Sequence, residues 1–140
     1  MDGPCNCYAL RQAARRVTQL YDHNLAPLGL RATQYSLLSE VDRRGPISLI
    51  RLAEAMVMDR ATLGHNVRPL EAAGYLTLAV GEDRRNRNVA ITPKGRNILA
   101  QAKPLWRDAQ TSFEAEIGSD DAAQLRTMLK RVAGGVFVPV

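Results

Sequence analysis

Periodicity places this chain in the mainly α-helical class with one small β-hairpin. Leu, Ala and Val recur at helical spacing over most of its 140 residues, while aromatics make up only 5%. Two short apolar or alternating runs, Leu76-Thr77-Leu78-Ala79-Val80 and Val89-Ala90-Ile91, read as strands joined by a polar segment. Gly and Pro fall where elements start or stop, with no repeat and no low-complexity linker. The length suits one domain, 1–140, with an apolar content of 46% sufficient for a small core.

The first helix carries Leu10, Ala13, Ala14, Val17, Leu20 and Tyr21 at helical spacing and ends before Ala26-Pro27-Leu28-Gly29. Thr33 is the expected cap of the second, which turns Tyr35, Leu37, Leu38 and Val41 inward and stops at Gly45-Pro46. Ser48 caps a short third helix with Leu49, Leu52, Ala53 and Met56. Asp59 caps a fourth with Leu63, Val67 and Leu70, closed by Ala73-Gly74. After the hairpin, Thr92-Pro93 opens a long helix striped by Ile98, Ala102, Leu105, Ala109, Phe113 and Ile117, in which Pro104 predicts a bend or junction. Ser119 is the expected cap of the last helix, striped by Ala122, Leu125, Leu129 and Val132.

The terminal helices carry more apolar face than so small a centre can cover. This predicts a homodimer built from both chain ends, the alternative being that they fold back on their own subunit. Residues from about 30 to 95 then form one lobe, and about 5–25 with 96–140 a helical dimerisation region.

A net charge of +5 and a pI near 9.7 call for an anionic partner, which makes the placement of the cations decisive. No apolar run approaches a membrane span, and the N-terminus lacks the pattern of a signal peptide, so the expected location is cytoplasmic with no membrane partner. Two histidines, no Gly-rich phosphate loop and no nucleophile in an activation motif give an enzyme reading little support, and no cofactor is expected. Cys5 and Cys7 lie too close together to staple a core, and with His23 they match no established zinc spacing.

Two short helices with a tight connection, followed by a hairpin with a cationic tip, suit duplex DNA. The second helix of such a pair enters the major groove while the hairpin reaches the minor groove or the backbone. At ~100° per residue, burying Leu63, Val67 and Leu70 turns Ala61, His65 and Arg68 outward, with Thr62 and Asn66 on the flanks. Arg68, Asn66 and His65 have base-edge chemistry, and Thr62 can meet a thymine methyl or a phosphate. Arg60 opposes the helix dipole in the first turn, a small penalty that a phosphate would relieve. Arg84, Arg85 and Arg87 on the short hairpin loop repel one another unless an anion is near, and Asp83 only partly relieves this. A winged-helix dimer used for protein contacts without specific DNA binding is the alternative, since one fold supports both uses.

From Ala9 to about Val132 the chain resembles the MarR family of winged helix-turn-helix regulators. The resemblance rests on Leu28-Gly29-Leu30 with Thr33-Gln34-Tyr35, Leu52-Ala53-Glu54, Met58-Asp59-Arg60-Ala61-Thr62-Leu63, Pro69-Leu70-Glu71-Ala72-Ala73-Gly74-Tyr75-Leu76, Asp83-Arg84-Arg85 and Val89-Ala90-Ile91-Thr92-Pro93-Lys94-Gly95. It implies a homodimeric transcription regulator, a repressor by expectation, on a pseudo-palindromic operator. It makes Arg85 the minor-groove residue, Asp83 its orienter, and Arg84 and Arg87 phosphate contacts. Where many relatives carry a polar and then a basic residue, this chain has Gly64-His65.

Cys7-Tyr8-Ala9-Leu10 is similar to the reactive-cysteine region of organic-hydroperoxide-sensing (OhrR-like) members. The positive end of a helix attracts an anion, and the thiolate is the form that peroxides oxidise. The resemblance matches Tyr35 to a partner-subunit tyrosine that holds the cysteine, whereas Ala32 stands where another tyrosine is usual. Oxidation at Cys7, resolved by Cys5 or by the partner chain, would re-space the reading helices. The family likeness also implies a small aromatic ligand in a cleft between dimer base and reading lobe, for which Arg11, Arg15, Tyr21 and Trp106 are candidate liners.

Overall fold

The computed structural model describes residues 2–81, 87–135 and 137. Six helices and a three-stranded antiparallel sheet follow in the order α1 Asn6–Leu25, α2 Ala32–Arg44, β1 Ile47–Ser48, α3 Leu49–Ala55, α4 Arg60–Ala72, β2 Leu76–Val80, β3 Arg87–Ile91, α5 Pro93–Ile117 and α6 Ser119–Ala133. One 3₁₀ turn, Ala26–Leu28, links α1 to α2. The mainly helical class with a small hairpin is therefore the architecture observed.

Three caps fall where the sequence places them. Ser48 accepts from the Arg51 amide, Asp59 from Thr62 and Thr92 from Gly95, each satisfying a donor that a helix start leaves open. Two caps differ. Helix α2 begins one residue before Thr33: Gln34 accepts from the Arg31 amide, and Asp22 of α1 accepts from the Ala32 amide at 2.7 Å. The carboxylate of the preceding helix takes the role expected of Thr33 and ties α1 to α2. Helix α6 begins after Gly118, whose φ of 94° suits glycine, and Ser119 is its first residue without a side-chain cap. Helix α5 runs through Pro104 as one element, with no junction.

The sheet order is β1-β3-β2. Ile47 pairs with Val89 and Leu76 with Ile91, so the central strand turns Val89 and Ile91 into the core. Leu37, Leu38 and Val41 of α2, Leu52 of α3, Leu63, Val67 and Leu70 of α4, and Leu99 and Ala102 of α5 complete one apolar cluster. Helix α5 thus crosses from this lobe to α1 and α6, where Ala109 and Ala122 are buried. Every residue of α1 from Asn6 to Arg16 is exposed, as are Met128, Leu129 and Val132 of α6.

Candidate nucleic-acid interface

Helices α3 and α4 form a helix-turn-helix. The α3 end is a hook in which Met58 N–H bonds Ala53 O and Val57 N–H bonds Glu54 O. Its left-handed position, normally glycine, holds Val57 at φ 52°, and 70% of that side chain is exposed. The chain then reverses into Asp59, whose carboxyl the Thr62 amide holds below the usual carboxylate range.

Burial of Leu63, Val67 and Leu70 fixes the rotation of α4. Arg60, Ala61, Thr62, His65 and Arg68 are all exposed: Ala61, His65 and Arg68 face away from the core, Thr62 lies on a flank, and Arg60 is exposed at the helix start. Asn66 is half-buried: its amide donates to Thr62 O at 2.9 Å and lies 3.9 Å from Met58 Sδ, so its donor is engaged inside the protein. Pro69 lies inside α4 and has no amide hydrogen, which leaves the His65 carbonyl without its i+4 donor. Sequence reading made no use of Pro69, although a proline within a helix signals a missing ladder bond. Arg87 opens β3 opposite Val80 and is exposed. Asp83, Arg84 and Arg85 lie outside the described residues.

Between lobe and terminal helices lies a cleft of about 220 Å³, walled by Val17, Tyr21 and Leu25 of α1, Ala32 and Tyr35 of α2, and Trp106 of α5. Tyr35 stacks on Trp106 with centroids 5.8 Å apart. The Tyr21 hydroxyl donates to Gln110. Burial pushes both phenols above the usual tyrosine range, with Glu114 adding to the effect at Tyr21 and Arg107 opposing it at Tyr35. Of the four expected liners, Tyr21 and Trp106 line this cleft; Arg11 and Arg15 do not, and Arg15 lies with Gln12 and Arg16 on an open face of α1.

At the far end of α1, Cys5 is the N-cap residue and its sulfur accepts from the Tyr8 amide at 3.4 Å; Cys7 is the second helical residue, and both thiols are exposed. Both thiols therefore stand at the helix N-terminus, and that of Cys5 is the one that accepts from a backbone amide. Ten residues separate Cys7 from the cleft-lining Val17, about 15 Å along the helix, so Tyr35 is not brought to Cys7 within one chain. His23 lies farther still, about 24 Å along α1 from Cys7.

Comparisons with known proteins agree with this architecture. Residues 28–86 match the model of the MarR family. The chain is similar to the transcriptional regulator MosR of M. tuberculosis in complex with DNA, at 33% identity and a TM-score of 0.85, covering 93% of this chain and 94% of that one. It is similar to the transcriptional repressor CouR bound to a 23-mer DNA duplex, at 28% identity, 92% coverage of each chain and a TM-score of 0.83. It also shares 24% identity over 132 residues with the HTH-type transcriptional regulator SarZ of Staphylococcus saprophyticus, covering 94% of this chain and 89% of that protein. With its helix-turn-helix, hairpin and long connecting helix in the same order, the chain belongs to the MarR family of transcriptional regulators.

Proposed function

We propose that this protein is a homodimeric, sequence-specific double-stranded DNA-binding repressor, released from its operator by a small ligand or by thiol oxidation. The observation that carries the reading is the exposed face Ala61, His65 and Arg68 of a helix whose opposite side is locked in the core, with Thr62 on its flank and Arg60 exposed at its start. Such a helix meets the major groove with a fixed face: Arg68 and His65 at base edges, Arg60 and Thr62 at phosphates. Asn66 joins them if its amide leaves Thr62. Arg85, oriented by Asp83, takes the minor groove, and Arg84 and Arg87 the flanking phosphates. DNA-bound MosR and CouR support the reading, each similar over nearly the whole chain.

Two copies are needed to cover the exposed apolar residues of α1 and α6, and a two-fold pair of α4 helices calls for a pseudo-palindromic operator. For release, the uncharged aromatic walls of the cleft suit a flat aromatic effector. Cys5 and Cys7 are exposed at the start of α1, which leaves their thiols open to an organic peroxide.

The test is a titration of reduced protein onto a duplex from upstream of its own gene and onto a scrambled duplex, at two salt concentrations. Selective, salt-sensitive binding is expected, weakened at least tenfold by Arg85→Ala with the dimer mass unchanged. Organic peroxide should release the wild type and spare Cys7→Ser. Equal, weak binding to both duplexes would favour a protein-interaction module.

A further inference from the structure

Helix α4 ends in a hook of the same type as α3. Tyr75 N–H bonds Leu70 O and Gly74 N–H bonds Glu71 O, with Gly74 at φ 82°. This satisfies the carbonyls of Leu70 and Glu71 but leaves those of Ala73 and Gly74 facing outward. Both are taken by the start of α5. The Lys94 ammonium donates to Ala73 O at 2.8 Å, and the Thr92 hydroxyl donates to Gly74 O at 2.6 Å.

The Lys94 stem lies against Gly74, with Cδ 3.5 Å from where a Cβ would stand, and its Nζ is 5.5 Å from the Tyr75 ring centroid. Behind it, the Thr92 amide bonds Tyr75 O at 3.0 Å. Gly95 leaves no gap: a Cβ there would collide with the Tyr75 carbonyl oxygen and come within 2.7 Å of Ile91 Cγ1. The negative end of one helix thus meets a cation on the first turn of another, and that second helix runs on into the terminal helices.

We infer that Lys94 is a positioning residue for operator binding. It clamps the carbonyl end of the reading helix to α5, and so fixes the angle at which α4 is presented without itself touching DNA. The inference rests on the DNA-binding reading above. A phosphate-contacting lysine and a clamping lysine make opposite predictions about salt. Removing a phosphate contact lowers the slope of log affinity against log salt by about one, whereas removing a clamp lowers affinity and leaves the slope alone.

Lys94→Met keeps the stem and removes the ammonium; Lys94→Arg keeps a donor within reach. Two measurements are made on the full-length chain. Amide hydrogen exchange, without DNA, should speed up at Ala73, Gly74 and Tyr75 in Lys94→Met and return towards wild type in Lys94→Arg. Operator affinity should fall about three- to tenfold in Lys94→Met with the salt slope unchanged, and recover in Lys94→Arg. A slope reduced by about one would make Lys94 a phosphate contact and overturn the clamp. Unchanged exchange at the end of α4 would overturn it as well. If wild type itself fails to select its operator, the DNA-binding reading fails, and the clamp stands or falls on the exchange data alone.

Discussion

The helix-turn-helix lobe and the terminal helices are built from similar residues but differ in how much of their apolar surface one chain buries. In the lobe, Leu37, Leu38, Leu52, Leu63, Leu70 and Val89 are fully buried around a three-stranded sheet. Outside that cluster, the described residues buried between α1, α5 and α6 are two alanines, Ala109 and Ala122, while Met128 and Tyr8 expose more than half of their surface. The lobe has its core within one chain, whereas the terminal helices leave much of their apolar stripe exposed. If a second copy covers that stripe, as proposed, its stability depends on concentration and that of the lobe does not.

The same truncation in both places separates them most sharply. Leu38→Ala should cost about 3 kcal/mol by denaturant unfolding, at any protein concentration, because it leaves a cavity in a closed core. Leu129→Ala should leave lobe stability within about 0.5 kcal/mol, yet lower the melting temperature increasingly on dilution and shift sedimentation towards monomer. A concentration-independent effect at Leu129 would place that stripe inside its own subunit.

Within the lobe, Val57 and Gly74 occupy the same position of the same helix-ending hook, one strained and one relaxed. Val57→Gly should therefore stabilise the lobe by about 1 kcal/mol, read from the urea midpoint, whereas Gly74→Val should destabilise it. The smallest expected effect lies at the lobe's surface. Glu40 accepts from Arg43 and Arg44, and the Arg43 hydrogen bond above all holds its carboxyl below the usual Glu range. A lowered folded value means that its contribution is present above the unfolded value and fades as the pH falls through the folded one. Glu40→Gln should cost about 0.5 kcal/mol or less at neutral pH, the difference from wild type vanishing on acidification.

Much of the lobe was readable from local chemistry. Ser48, Asp59 and Thr92 each cap a helix through an amide three residues on, a distance a sequence window sees. The rotation of α4 followed from Leu63, Val67 and Leu70, and with it the exposed row of candidate readers. The failures are tertiary. Asp22 replaces Thr33 as a partner at the start of α2 because the turn brings α1 back alongside. The two-residue strand β1 exists only through its pairing with β3, and no alternation can show in so short a segment. The engaged amide of Asn66 and the ammonium of Lys94 are choices of side-chain partner, to which periodicity is blind. Cys7 does stand in the first turn of α1, as expected, with Cys5 before it as the N-cap.

Trp106 is the chain's single tryptophan, and its ring lies 16° from parallel with that of Tyr35, where α2 meets α5. An indole's emission depends on the polarity and stacking of its surroundings, so this seam carries its own fluorophore. A tilt of the lobe against α5, or an aromatic molecule entering beside Tyr21, would change that emission directly. Displacements at the seam can be followed in real time in the unlabelled protein, before any effect on gene expression is sought.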